Sequence, residues 1–241
     1  GLWMWDERRA LLTRFAASKA ADRSPVWTRD GRRVVFASDR DGRSSLLAQS
    51  VDGADGVERV HDRTDVELPL SVAPDGRLVV LRRGEDGSAT FELLTPGRDA
   101  ARVSLLPGDP ESDASVSPNG RWLAYQSAES GETEVYVRPF PNVNDGKWQV
   151  SSGGGAAPAW SRDWKTLYFV GSAGLMQVPV KTSAVFDLGE TSPVVPGRYM
   201  LTARRNYDVG PDGRFLMIKE SGAQHLVVVQ HWFEELKRLV P

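Results

Sequence analysis

The sequence predicts an all-β protein, a β-propeller built from four-stranded blades. One pattern occurs five times, at residues 24–36, 71–80, 114–125, 157–169 and 207–218. The turn residues of the copies are Asp30, Asp75, Asn119, Asp163 and Asp212, and successive ones lie 45, 44, 44 and 49 residues apart. Residues suited to strands lie on both sides of every turn. A strand, a turn and a strand repeated about every 44 residues are typical of a toroidal β array.

Each copy is predicted to begin with a short inner strand, such as residues 25–27 or 157–160. A Pro-Asp-Gly turn or a variant follows, because Asp caps the turn and Gly adopts positive φ without a Cβ clash. The second strand is apolar and rich in β-branched or aromatic residues, as at 78–81 and 167–170, which suits burial on both faces. A polar loop and alternating outer strands, such as 134–140, complete a blade.

The tryptophans divide into two groups. Trp27, Trp122 and Trp160 recur at repeat positions, so we expect them to pack inside blades. Trp148 and Trp164 break the repeat, so we expect them to be exposed or packed locally.

The two ends of the chain predict an incomplete ring within a single domain over residues 1–241. Residues 1–21 resemble the outer strands of a blade whose inner strands are absent, and successive blades are predicted at 22–64, 65–110, 111–152, 153–203 and 204–241. Residues 225–230 are predicted as a third strand of the last copy, and residues 232–240 as a short amphipathic helix. Five copies and half a blade favour a fragment of a six-bladed parent. Dimerisation or pairing of the two ends would cover its open edges.

Composition excludes several classes of partner. An apolar content of 40%, a charged content of 26% and a net charge of −2 describe an ordinary globular chain, without the basic surface of a nucleic-acid-binding protein. No apolar run is long enough to insert into a membrane. The chain has no cysteine, which rules out disulfides and thiolate metal sites.

The repeats resemble TolB-type, WD-like propeller repeats, which carry a Pro-Asp-Gly turn. Residues 117–141, 146–151, 206–209 and 232–236 further resemble the C-terminal propeller of bacterial serine/threonine protein kinases. That resemblance implies a sensor or interaction domain of a larger signalling protein, on the extracytoplasmic (periplasmic) side of the membrane. No Gly-rich phosphate loop, His-Arg-Asp or Asp-Phe-Gly motif occurs in these residues. Similar propellers bind peptides, so the resemblance implies binding.

Motifs for catalysis are few. No Gly-x-Ser-x-Gly nucleophile elbow occurs, and His61, His225 and His231 lack the spacing of a zinc site, so each is interpreted as a surface or packing histidine. The glycines at 153–155 are interpreted as a flexible connection between blades rather than a phosphate loop.

Topology predicts where a ligand would bind. The Pro-Asp-Gly turns fall on one face of a propeller, and the connections between blades fall on the other, around the mouth of the channel. The residues predicted to line this mouth and bind a ligand are Arg23, Arg40, Glu67, Arg82, Asp113, Glu129, Arg205 and Asn206. A ring with both signs of charge suits a peptide, a protein or a polar small molecule better than an apolar ligand.

Three functions remain open at this point. The preferred one is a non-catalytic binding propeller. The second is a propeller hydrolase of the esterase or lactonase type, in which an Asp/Glu–His pair or a Ca²⁺ ion held by carboxylates such as Glu67 and Asp113 acts. The third is a structural scaffold that assembles through blade edges.

Overall fold

The computed structural model describes residues 1–16, 18–40, 42, 44–61, 66–97, 101–108, 112–181, 186–196, 205–210, 212–218 and 227–228. Every regular element in these ranges is a β-strand, which confirms the all-β prediction. The chain divides into two compact units, Gly1–Pro110 and Glu111–Pro241. The division falls where one predicted blade ends and the next begins, while the prediction of a single domain stays a prediction.

The first unit contains a two-stranded sheet and two four-stranded sheets. Its strands are β1 (Leu2–Asp6), β2 (Leu11–Phe15), β3 (Asp22–Trp27), β4 (Arg33–Ser38), β5 (Ser45–Ser50), β6 (Val57–Arg59), β7 (Val66–Val72), β8 (Leu78–Arg83), β9 (Ala89–Leu94) and β10 (Arg102–Gly108). β1 pairs with β2, and the strands β3 to β6 and β7 to β10 each form an antiparallel meander in sequence order. These meanders match the predicted copies.

The second unit continues the same arrangement. Its strands are β11 (Ala114–Val116), β12 (Trp122–Ser127), β13 (Glu134–Pro139), β14 (Trp148–Gln149), β15 (Ala156–Trp160), β16 (Thr166–Gly171), β17 (Gly174–Lys181), β18 (Asp187–Leu188), β19 (Ser192–Pro196), β20 (Tyr207–Val209), β21 (Phe215–Met217) and β22 (Val227–Val228). β11 to β14 and β20 to β22 form meanders, and the long strand β17 pairs with β16 on one side and with both β18 and β19 on the other.

The repeated turn has the same hydrogen bonds in all five copies. The side-chain oxygen of the turn Asp or Asn accepts a hydrogen bond from the backbone N–H two residues later, at 3.0–3.2 Å. The residue after it adopts positive φ, which a glycine supplies in four copies and Trp164 in the fourth copy along the chain. This geometry fixes the reversal between the first and second strands.

The second strand of each complete sheet forms the core. In β4, β8 and β12 nearly every residue is buried, as expected for a strand covered on both faces. In the first unit, Phe15 of β2 packs edge-on against Phe36 of β4, with ring centroids 6.3 Å apart. In the second unit, apolar side chains of β12, β13, β16 and β17 share one cluster. Successive sheets within a unit are therefore joined by apolar packing.

Three of the first strands carry an irregularity in their pairing with the second strand. The pairing register shifts between Arg23 and Val26 in β3, between Pro69 and Ser71 in β7 and between Ala156 and Ala159 in β15. β-bulges of this kind re-aim side chains near functional sites.

The prediction that Trp27 packs inside a blade is wrong. Trp27 is 49% exposed, whereas Trp160, at the same repeat position, is 7% exposed and donates a hydrogen bond from Nε1 to the carbonyl of Ser115, at 3.0 Å. Ser115 belongs to the first strand of the preceding copy. Among the described residues before Trp27, only the hairpin β1–β2 occurs, and no equivalent first strand covers its ring.

The other tryptophans behave as predicted. Trp122 is buried against Phe186, with ring centroids 4.6 Å apart, and Trp148 packs locally on both. Trp164 is 39% exposed.

The C-terminal part of the chain is described only in part. β22 pairs with β21, which is consistent with the predicted third strand. The helix predicted at residues 232–240 lies outside the described residues. Nowhere in the described ranges is there a helix long and apolar enough to cross a membrane.

Candidate functional site

In the first unit, the beginning of β3 carries two pairs of opposite charge. Arg23 contacts Asp39 with its guanidinium, on the surface. Arg40 lies 3.2 Å from the buried carboxylate of Asp22, which also accepts a 2.6 Å hydrogen bond from the hydroxyl of Ser38. Burial alone would raise the pKa of Asp22, but hydrogen bonds from serine hydroxyls and the Arg40 guanidinium lower it below the usual value. Both predicted ligand-binding arginines of this region therefore already have carboxylate partners.

A second group of charges forms a network on the sheet β7–β10. Nε2 of His61 lies 2.7 Å from Oε2 of Glu67, and the guanidinium of Arg102 contacts the other oxygen of Glu67. Arg102 also lies 3.1 Å from Oε2 of Glu92, and Nε of Arg82 donates a 2.6 Å hydrogen bond to Oε1 of Glu92. Two predicted site residues, Glu67 and Arg82, thus belong to one chain of ion pairs.

This network is closed to solvent at its centre. His61 and Glu67 are 3% and 1% exposed. Groups so deeply buried hold each other in place, but a substrate in solution does not reach them without local opening. The network therefore contributes chiefly to the packing of β7 against the segment that contains His61.

Two members of this network were not selected as site residues from the sequence. His61, interpreted as a surface or packing histidine, is buried in the packing of this sheet, and Arg102 was not selected at all. The position of His61 shortly before a strand that carries a glutamate was a weak signal for the first. Nothing in the sequence pairs Arg102 with Glu67, because β8 and β9 lie between their strands.

In the second unit, the beginnings of two first strands are joined through Asp113. Its Oδ2 accepts a 2.7 Å hydrogen bond from the backbone N–H of Arg205, and its Oδ1 accepts one of 2.8 Å from the N–H of Ala114. Asp113 is 5% exposed and directly precedes β11, and Arg205 and Asn206 directly precede β20. Three predicted site residues, Asp113, Arg205 and Asn206, are therefore brought together.

The contact with Asp113 involves the backbone N–H of Arg205 and not the side chains of Arg205 or Asn206. Among the described residues, the guanidinium of Arg205 has neither an ion pair nor a hydrogen bond, and Nδ2 of Asn206 is buried without a hydrogen-bond partner. Burial alone would lower the pKa of Arg205, but the carboxylates of Asp208 and Asp113 outweigh it and raise this pKa. The region thus presents a permanent cation and an amide donor.

Strand β15 is hydrogen-bonded to residues of both β12 and β20. The backbone N–H of Ala157 donates a 2.7 Å hydrogen bond to Oε1 of Gln126, and the carbonyl of Ala157 accepts one of 2.7 Å from the hydroxyl of Tyr207. Ala157 lies in the irregular start of β15 and has a φ of +54°. Burial raises the pKa of Tyr207, so its hydroxyl remains a donor. These bonds fix β12, β15 and β20 relative to one another.

The glycines at 153–155 form a defined turn. The carboxylate of Glu134 accepts a 3.0 Å hydrogen bond from the N–H of Gly154 and also contacts the hydroxyl of Ser151. Because a carboxylate occupies this N–H, the structure agrees with a connection between sheets rather than an anion site.

Glu129, the remaining predicted site residue, has partners of its own. It follows β12, where it contacts Nζ of Lys147 at 3.1 Å and accepts a hydrogen bond of 3.3 Å from Tyr125.

The described residues offer no ligand set for a metal. Among them, no group of three or more His, Cys, Asp or Glu side chains lies close enough to hold an ion. A Ca²⁺ ion at Glu67 and Asp113 stays a prediction, and the His61 and Arg102 contacts of Glu67 leave its oxygens already engaged.

Comparison with known proteins identifies the family. The model of the TolB beta propeller domain matches residues 2–164, and the chain belongs to this family. The repeated antiparallel sheets are accordingly those of a TolB-type β-propeller. No curated protein matches the sequence significantly.

Solved structures agree with this fold. TolB from Acinetobacter baumannii is 18% identical with a TM-score of 0.66, over 86% of this chain and 50% of that one. A putative TolB from Agrobacterium tumefaciens is 14% identical with a TM-score of 0.56, over 79% of this chain and 70% of that one. The periplasmic gluconolactonase of Pseudomonas aeruginosa is 14% identical with a TM-score of 0.54, over 95% of this chain and 77% of that one. The chain therefore spans half the length of the first of these proteins.

Proposed function

We propose that this chain is a non-catalytic binding propeller, and that the beginnings of β11, β15 and β20 hold a peptide or another polar ligand. The observation that carries the proposal is the contact of Asp113 with the backbone of Arg205, which anchors two neighbouring residues whose side-chain donors have no hydrogen-bond partner among the described residues. Binding sites of this kind combine a rigid frame with a few polar groups that are free to contact a ligand.

The frame supports this role because its own polar groups are satisfied. Hydrogen-bond partners are present for both side-chain oxygens of Asp113, for the carbonyl and N–H of Ala157 and for the hydroxyl of Tyr207. The groups left over are at the beginning of β20. A ligand that meets fixed donors loses little binding free energy to reorganisation of the protein.

The proposal extends to the cellular setting. The resemblance to kinase propellers favours a sensor or interaction module of a larger bacterial signalling protein. The similarity to TolB proteins and to a periplasmic gluconolactonase favours the periplasmic side of the membrane. Binding of a ligand to the propeller would then change the activity of another domain of the parent protein.

A second candidate function is a propeller hydrolase. The His61–Glu67 pair, with 2.7 Å between the imidazole and the carboxylate, is the observation that favours it, as does the similarity to a gluconolactonase. Against it stands the burial of both residues and the contact of Glu67 with Arg102.

A third candidate is assembly through an exposed face. On one face of the hairpin β1–β2, Trp3 is 62%, Trp5 42% and Leu12 48% exposed. Apolar faces of this kind mark contact surfaces, so a homodimer is the assembly this candidate requires.

A binding experiment separates these functions. The full chain is titrated with a library of random decapeptides in a fluorescence assay, alongside the Asp113→Ala variant. We expect wild-type binding and at least a tenfold loss in the variant, since the Arg205 backbone loses its anchor. Asp187→Asn, in an exposed pair with Lys181, is the matched control. Circular dichroism verifies folding, and Arg205→Lys serves as a second variant.

Other outcomes would overturn the proposal. Hydrolysis of aldonolactones by the wild type that is lost in His61→Ala would establish the hydrolase. A concentration-dependent dimer that Trp3→Ser and Trp5→Ser abolish, together with no peptide binding, would establish the assembly role.

A further inference from the structure

Two neighbouring residues at the beginning of β20 have donors without partners. Nδ2 of Asn206 is buried and makes no hydrogen bond. The guanidinium of Arg205, the next residue toward the N-terminus, makes no hydrogen bond and no ion pair. A buried amide without a protein partner is unusual in a native protein, and a ligand that binds here would satisfy it in place of water.

The nearby carboxylates do not satisfy these donors. Both oxygens of Asp113 accept backbone N–H groups, from Arg205 and from Ala114. Oδ1 of Asp208 accepts the N–H of Val209 at 2.9 Å. These carboxylates hold the backbone in place and leave the guanidinium to an external acceptor.

The local charge selects the kind of acceptor. One guanidinium and two carboxylates leave this region without an excess of positive charge, so repulsion from Asp113 and Asp208 opposes a phosphate dianion about twice as strongly as it opposes a monoanion. A carboxylate carries a single charge and offers two coplanar oxygens. It matches the planar guanidinium and leaves an acceptor for an amide N–H.

We propose that Arg205 and Asn206 bind one carboxylate group of the ligand. The inference rests on the proposed binding function and specifies the ligand chemistry of that site. The carboxylate comes from a peptide C-terminus, from an Asp or Glu side chain of a peptide, or from a small hydroxy acid. These sources share the chemistry that the two donors recognise.

The test uses four probes against the full chain. Three are decapeptide libraries: one with a free C-terminus and no Asp or Glu, one amidated and without Asp or Glu, and one amidated with Asp and Glu. The fourth probe is gluconate. We expect wild-type affinity to be about ten- to a hundredfold higher for one or more carboxylate probes than for the neutral amidated library, as for a hydrogen-bonded charged group.

Variants identify the residues responsible. Arg205→Lys keeps the charge but removes the planar pair of donors, and it should lower carboxylate affinity about tenfold and leave neutral peptides unaffected. Asn206→Leu removes the amide and should lower carboxylate affinity while the melting temperature is unchanged or higher, because a buried donor without a partner is lost. Arg162→Lys, an exposed arginine in the repeated turn, is the matched control and should bind as the wild type does.

The outcomes separate this inference from the proposed function. If the wild type binds free and amidated neutral peptides equally, the carboxylate inference is overturned and the binding function stands. If no probe binds at millimolar concentration, both are overturned. Binding of gluconate alone keeps the carboxylate site and overturns the peptide ligand. A lower melting temperature with unchanged affinity in Asn206→Leu shows that the amide is structural and satisfied by water only.

Discussion

A single carboxylate, Glu67, holds both His61 and Arg102 in the interior of the first unit. Glu67→Gln keeps the size of the side chain and removes its charge, so that the Arg102 guanidinium loses its most buried partner. We expect the free energy of unfolding to fall by about 3–5 kcal/mol, as when one member of a buried ion pair is removed. Urea unfolding at neutral pH measures the change.

The first unit also supplies the control for that variant. Glu58 pairs with Arg33 at 2.6 Å, but its side chain is 56% exposed. Because water screens such a pair, Glu58→Gln should cost less than about 1 kcal/mol. Similar losses in the two variants would contradict the view that burial makes the Glu67 contacts important.

At the level of structural elements, the repeated turn predicts a response to acid. In Asp30 and Asp212 hydrogen bonds from the backbone two residues later lower the pKa, and in Asp163 the Ser161 hydroxyl is the larger cause. In Asp75 the Arg77 side chain lowers the pKa most. A lowered pKa in the folded state stabilises the fold above the unfolded value of about 4, and this contribution is lost as the pH falls through the folded value.

The third copy shows which substitution tests this response. Asn119 makes the same 3.1 Å contact with the backbone of Arg121 but has no carboxylate to protonate. Replacing the four turn aspartates by asparagine should therefore preserve the turns and flatten the loss of stability as the pH falls below the unfolded value of about 4. Urea midpoints at a series of pH values measure it, and an unchanged acid slope would show that other carboxylates dominate.

The sequence predicts these elements well because their information is local. The turn Asp or Asn and its hydrogen bonds recur within a few residues, and so does the apolar second strand. Trp164 is an exception within the turn, since it occupies the glycine position with a φ of +55°. The prediction for Trp27 was wrong because burial at this repeat position depends on contact with the first strand of a preceding copy, as Trp160 makes with Ser115.

The candidate site was predictable only in part for the same reason. The repeat predicts that Asp113, Arg205 and Asn206 each precede a first strand, and the structure joins them. The repeat does not predict that Arg23 pairs with Asp39 and that Arg82 pairs with Glu92. Such pairs depend on side-chain packing between strands that are distant in sequence.

On the scale of the whole molecule, the distribution of tyrosine predicts a response to alkali. All five tyrosines lie after residue 110, in the second unit. Burial raises the pKa of Tyr125 to about 12, and burial also raises the pKa of Tyr168 and of Tyr207. A folded state that keeps these hydroxyls protonated is fully stabilised below the unfolded pKa of about 10 and loses stability as the pH rises above it.

The second unit should therefore unfold first between about pH 10 and pH 12, and tyrosinate absorbance should rise together with that unfolding. Limited proteolysis with mass spectrometry along the same pH series assigns the unfolded part, and we expect the first cleavages after residue 110. Tyr168→Phe removes one contributing hydroxyl and should move the onset to higher pH. Ionisation of all five tyrosines near pH 10 in a protein still resistant to protease, or first cleavage within residues 1–110, would contradict this account.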